Sequence, residues 1–236
     1  MARSVGWRRS ALTDVSGCVI LNWWGNLMVS VDLLFPVQGG PVPLDHGYLL
    51  FSALSRHLPA LHERKDVGVF NLRGRRKDKQ VLQVDKGTLR LRCGPGALSD
   101  LLPLAGSTLE LAGRELRVGM PTVYPLLATP TTLSARIVTF KHAMDEAAFH
   151  ASTLRFMTEL GCSGTPYVGR RRIVSIAGKK VVGFALTVSA LSPESSLLLL
   201  ERGLGGRRHM GCGLFLPPRL RVALKAGEGA AVGGSM

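Results

Sequence analysis

Pro121, Pro125 and Pro130 crowd the stretch between residues 119 and 132. Each proline removes a backbone donor, so the stretch can form neither a regular helix nor a central strand, and it reads as a linker that cuts the chain in two. Before it, alternating Val29, Val31, Leu33 and Phe35 predict a strand over 29–35, closed by Pro36 and a Gly39-Gly40 turn. A helix follows, with Asp45 as N-cap, Leu50, Leu54 and Leu58 as its apolar stripe, and Pro59 at its end. Strands over 67–74 and 88–93, a short helix over 96–102 and a strand or hairpin over 107–118 complete this half.

The second half repeats the order with different residues. A strand over 135–141 leads to a helix from Asp145 to Leu160, with Phe149, Phe156, Met157 and Leu160 on one face and Gly161 as its stop. Strands over 167–176 and 180–189 meet at Ala177-Gly178-Lys179, a hairpin signal. Ser192 and Pro193 open a last helix that ends at Gly203, and Leu214, Phe215 and Leu216 form the closing strand. The expected fold class is α+β: two tandem ferredoxin-like (β-α-β-β-α-β) domains, at 28–118 and 133–218, with a C-terminal glycine-rich loop. Residues 1–27 hold all three tryptophans and read as an upstream extension, with Met28 as the expected start; 219–236 read as a flexible tail. The uncharged run Val15–Val31 carries Asn22, Asn26 and two glycines and is too short and polar to cross a membrane.

Thirty Lys and Arg stand against sixteen Asp and Glu, a net charge of +14, and most of the cations are Arg, whose planar fork grips phosphate. An acidic polymer is the expected partner, although the same charge also serves solubility. The basic residues gather in three runs of one form, Gly74-Arg75-Arg76-Lys77, Gly169-Arg170-Arg171-Arg172 and Gly206-Arg207-Arg208-His209. Each lies in or beside a strand or loop, where Arg75, Arg76, Lys77, Arg170, Arg171, Arg172, Arg207, Arg208 and His209 could follow a phosphate backbone. Aromatic residues are sparse around them, so backbone and shape recognition is expected over base stacking. Cys18, Cys93, Cys162 and Cys212 are too widely spaced for a zinc knuckle or a CxxC motif, which predicts reduced thiols in the cytoplasm. The six histidines are scattered too, and neither they nor the carboxylates form a metal-ligand motif.

The most specific motif spans Gly203-Leu204-Gly205-Gly206-Arg207-Arg208-His209-Met210-Gly211-Cys212-Gly213, two G-apolar-G units separated by five residues. Gly203, Gly205, Gly211 and Gly213 permit positive φ and let a phosphate backbone approach the main chain; they also suit a plain helix cap and tight turn. A loop of this spacing, entering the last strand of the second half, resembles the CRISPR repeat-processing endoribonucleases of the repeat-associated mysterious protein (RAMP) superfamily. Asp45-His46-Gly47-Tyr48 and Gly203–Pro217 are most similar to the myxobacterial-type (MYXAN) branch.

That resemblance implies cleavage of CRISPR precursor RNA within its repeats by attack of a ribose 2′-OH on the adjacent phosphate, without metal or other cofactor. It also implies repeat RNA as the partner, and the other subunits of a CRISPR effector complex as further ones. In such enzymes a histidine acts as general acid or base, and histidine starts near the pKa that work needs. His46, at the start of the first helix, is the expected catalytic residue. His62, past the end of that helix, and His142 and His150, at the start of the second-half helix, read as solvated or packed.

Overall fold

The computed structural model describes residues 30–76 and 80–218. The expectations for 1–27 and 219–236, and for Lys77, lie outside the described residues.

The first half contains β1 (Val31–Gly39), β2 (Val42–Pro43), α1 (Gly47–His57), β3 (Gly68–Val69), β4 (Arg73–Arg76), β5 (Val81–Cys93), α2 (Leu98–Leu101), β6 (Thr108–Leu111), β7 (Arg114–Val118) and β8 (Thr122–Pro125). All pairings are antiparallel. β1 lies between β5 and β7, β6 extends the sheet beyond β7, and β2, β3 and β4 pair with β5. The second half contains β9 (Leu133–Val138), α3 (Glu146–Leu160), β10 (Thr165–Ile176), β11 (Lys179–Ser189), α4 (Pro193–Arg202) and β12 (Phe215–Leu216), with its sheet in the order β10-β11-β9-β12. Each half buries its own apolar cluster: Leu33, Phe35, Leu50, Leu54 and Leu89 in the first, Leu133, Phe149, Phe184, Leu199 and Phe215 in the second.

Local signals decide most of the second half. The Asp145 carboxylate accepts the Ala148 N–H and caps α3, Gly161 ends it with φ +71°, and the Ser192 hydroxyl accepts the Ser195 N–H ahead of Pro193. In the first half the elements depart from expectation. β1 runs on through Pro36, whose carbonyl accepts the Gly119 N–H, as far as Gly39. β5 starts at Val81, because its first residues pair with β2 and β4. The expected helix over 96–102 is a single α turn between two 3-10 turns, and the stretch read as a linker contains β8, which pairs with Val31–Leu34 at the sheet edge. Asp45 does not cap α1. The N-cap position belongs to His46, while the Asp45 carboxylate accepts the Ser175 N–H of β10 at 2.7 Å.

The two halves meet across the helix-free face of the first sheet. Strand alternation puts Asp32 and Arg92 on that face as cross-strand neighbours. Arg92, 1% exposed, makes a two-pronged pair with Asp32 (2.8 and 2.9 Å), and its remaining nitrogen donates to the carbonyls of Leu200 in α4 and Phe215 in β12 at 2.8 and 2.9 Å. Arg90 adds a second cation to Asp32 at 3.1 Å, and both guanidinium groups lie over the Phe70 ring. Removing one member of a buried pair leaves an uncompensated charge, at about 3–5 kcal/mol. Arg92→Ala should therefore lower the unfolding free energy in urea by about 3 kcal/mol or more; a loss below about 1 kcal/mol would show that the halves do not depend on this pair.

Candidate nucleic-acid interface and active groove

The glycine-rich loop crosses the seam. At Gly211, φ is +76° and a Cβ would strike the Asn71 side chain of the first half; at Gly203, φ is +65° and a Cβ would strike the Gly213 carbonyl. Gly205 and Gly213 press likewise on the Thr139 and Leu204 carbonyls. The motif glycines thus close the loop on itself and onto the first half, and Gly206 alone among the loop's glycines has open space where a side chain would stand. The two arginines separate. Arg207, in the left-handed region with φ +63°, is exposed and reaches the Thr139 hydroxyl at 3.3 Å. Arg208 turns inward and donates to the Glu201 and Arg202 carbonyls at the end of α4, where a cation complements the helix dipole. Burial, and next the Arg92 charge, push its guanidinium down to about 10. Arg208 therefore holds the loop to the helix instead of offering its fork to a phosphate.

His46 is 2% exposed. Its Nδ1 donates to the Pro43 carbonyl at 2.7 Å, and its Nε2 accepts the Leu72 N–H at 2.9 Å. Both ring nitrogens are engaged, bracing the start of α1 against the segment leading into β4, and His46 lines a cleft with Arg73, Arg136, Arg172 and Gly211. The segment it braces lies 26 residues further along the chain, so spacing does not show this bond.

The exposed imidazole near the loop is His62. Pro59 opens a 3-10 turn, Pro59–His62, that folds back on α1 and sets His62 edge-on to the Phe51 ring, centroids 4.8 Å apart. His209 stacks on the same Phe51 ring at 5.2 Å, and its Nε2 donates to the Arg64 carbonyl at 2.7 Å, leaving Nδ1 as the acceptor nitrogen. One aromatic ring thus joins an imidazole from the first half to one from the glycine loop. The helix-breaking Pro59 is the one sequence sign of the turn that carries His62.

Arg75 and Arg76 lie on β4, and Arg170, Arg171 and Arg172 lie on β10, all three of the latter exposed. β4 and β10 line a common cleft through Arg73 and Arg172, joined there by Arg136 of β9, a single cation that belongs to none of the basic runs. Among the described residues no helix is long and apolar enough to cross a membrane.

The arrangement is shared with solved structures of CRISPR-associated and RNA-binding proteins. A "CRISPR associated protein Cas6" superposes with TM-score 0.57 at 13% identity, covering 81% of this chain and 99% of that one. A Cas6-related protein from Pyrococcus furiosus gives 0.54 at 13%, covering 82% and 100%, and a RAMP protein binding different RNA substrates gives 0.54 at 13%, covering 79% and 98%. The fold is therefore that of the Cas6 and RAMP proteins. The family described as Cas6 Crispr matches residues 31–219, and the CRISPR-associated endonuclease Cas6 of Myxococcus xanthus (strain DK1622) is 67% identical over 218 residues, 92% of this chain and 94% of that protein. The chain belongs to the Cas6 family.

Burial lowers the His46 pKa from its ordinary 6.5, opposed by the bond to Pro43 and reinforced by the Arg136 charge. A lowered value in the folded state means that the unfolded chain binds the proton more readily. The stability His46 contributes is therefore present above about pH 6.5 and lost as the pH falls below it, by up to about 1.4 kcal/mol per pH unit. Urea titrations from pH 7.5 to 5 should show the wild type losing stability on acidification more steeply than His46→Gln; parallel pH profiles would contradict the sealed-histidine assignment.

Proposed function

We propose that this chain is a CRISPR endoribonuclease that cuts precursor RNA within its repeats to release guide RNAs, with the cut made beside the Phe51 ring that His62 and His209 share. The match to the M. xanthus endonuclease along nearly the whole chain carries the reading. In this reading each half is one ferredoxin-like (β-α-β-β-α-β) domain, 28–118 and 133–218 with 119–132 between them; in support, β9 lies between β11 and β12 with β10 beside β11, and β1 lies between β5 and β7 with β3 and β4 paired to β5.

The chemistry asked of the groove is in-line attack. One imidazole, neutral, takes the proton of the ribose 2′-OH as its oxygen bonds to the adjacent phosphorus. The P–O5′ bond breaks, and the other imidazole, protonated, gives its proton to the departing 5′ oxygen. The products are a 2′,3′-cyclic phosphate and a 5′-hydroxyl, with no metal required. His209 enters with its tautomer set by Arg64. His62 enters with a ring that no described residue bonds. Arg207, exposed on the loop, and Arg75, Arg76, Lys77, Arg170, Arg171 and Arg172 supply charge for the RNA backbone.

Single-turnover cleavage of repeat RNA in EDTA tests this. Wild type should cleave; His62→Ala and His209→Ala should each slow cleavage by about 10² or more, while His46→Gln keeps its rate per folded molecule. Dependence on added Mg²⁺ sinks the metal-free mechanism. Normal cleavage by both groove variants, with loss in the His46 variant, returns catalysis to His46. Tight RNA binding without any cleavage favours a non-catalytic subunit of an effector complex.

A further inference from the structure

His209 is oriented by a carbonyl, and that carbonyl belongs to a turn whose support comes from elsewhere in the first half. The Arg64 carbonyl accepts the His209 Nε2–H at 2.7 Å and the Val67 N–H at 3.1 Å. The N–H groups of Glu63, Lys65 and Val67 donate to the carbonyls of Ala60, Glu63 and Arg64, so these bonds shape the turn without fixing its place. Buried Leu61 pins one end in the core, and β3 leads away from the other just after Val67. Between these ends the Arg64 side chain reaches across to α2. Its Nε and one terminal nitrogen donate to a single oxygen of Asp100, at 3.0 and 2.6 Å, and that terminal nitrogen also donates to the Gly96 carbonyl. Asp100 stands on a firm base, because Ala97 and Leu101 on either side of it are buried in the core. A cavity of about 240 Å³, lined by Pro59, Leu61, Val67, Ala97 and Leu101, is bounded by both segments, so apolar packing does not join them there and the ion pair does. With its two side chains 31% and 43% exposed, the pair adds little to overall stability. The Arg64 fork is also spent within the protein and is not offered to a phosphate.

We propose that Asp100 and the Arg64 side chain are positioning residues for RNA cleavage: they hold the Arg64 carbonyl where it orients the His209 imidazole. Nε2 carries hydrogen whether the ring is neutral or protonated, so the bond to Arg64 persists through the proton transfer and leaves Nδ1 as the nitrogen that exchanges the proton. The inference rests on the reading of His209 as a reacting group and adds what fixes its ring; neither Asp100 nor the Arg64 side chain touches the RNA.

Single-turnover cleavage of repeat RNA at saturating protein, with affinity measured in parallel on RNA carrying a 2′-deoxy scissile ribose, tests it. Asp100→Ala and Arg64→Gln should each slow cleavage about tenfold, the scale of a small misplacement of a reacting group. Affinity and the slope of log K against log salt should stay at wild-type values, because no phosphate contact is lost. Asp100→Asn, which keeps an acceptor oxygen, should cleave within a few-fold of wild type. In a His209→Ala background, Asp100→Ala should cost nothing further, since the group it positions is gone. Wild-type rates in both Asp100→Ala and Arg64→Gln overturn the assignment, as does a full tenfold loss on top of His209→Ala. An Arg64→Gln variant that binds more weakly with a flatter salt slope makes Arg64 an RNA contact and overturns it too. Should Asp100→Ala fail to fold, Arg64→Gln decides. A His209→Ala variant that cleaves at the wild-type rate would instead undo the functional reading itself.

Discussion

The buried fork of Arg92 is the contact on which the rest of the arrangement hangs. One guanidinium neutralises Asp32 inside the first sheet and ends on two carbonyls of the second half, Leu200 at α4 and Phe215 at β12. Those carbonyls bracket the glycine-rich loop in sequence. By fixing the end of α4 and the start of β12 against the first sheet, Arg92 determines where the loop between them lands. Arg208 continues the same logic one layer out, tying the loop back to the last carbonyls of α4.

The loop's glycines are then explained by crowding. Gly211 has no room for a side chain because Asn71 occupies the space, and Gly47 at the start of α1 is equally crowded by the Met210 carbonyl. Main chain meets main chain across the seam at a distance that only glycine permits. The outcome is that His209 lies flat on Phe51, a residue of the first half, beside His62. Neither half holds this pair alone, so catalysis by the pair requires the docked chain.

Legibility from sequence followed the range of the interactions involved. Asp145, Gly161, Ser192 and Pro193 act on neighbours within a turn, and the helices they delimit are readable from spacing alone. The two antiparallel sheets were readable for the same reason, through alternation and turn residues. The Asp45 cap fails and the His46 bond to Leu72 stays hidden for one reason, that their partners, Ser175 and Leu72, are distant in sequence: a carboxylate before a helix resembles a cap until a remote N–H claims it. Arg208 shows the same limit from the other side, since nothing in an Arg-Arg pair says which fork faces solvent. The resemblance carried by Gly203–Pro217 points to the Cas6 family correctly, while the contact of Pro59–His62 with Phe51 depends on a fold-back that spacing does not show.

In the proposed reaction the scissile phosphate sits at the seam, between a turn of the first half and the loop of the second. Photocrosslinking addresses it directly: repeat RNA bearing 4-thiouridine next to a 2′-deoxy scissile position is irradiated on the full chain, and the attached peptides are mapped by mass spectrometry. The account requires crosslinks in both 59–64 and 207–211. Crosslinks confined to one of these segments, or clustered instead around residues 43–46, would contradict it.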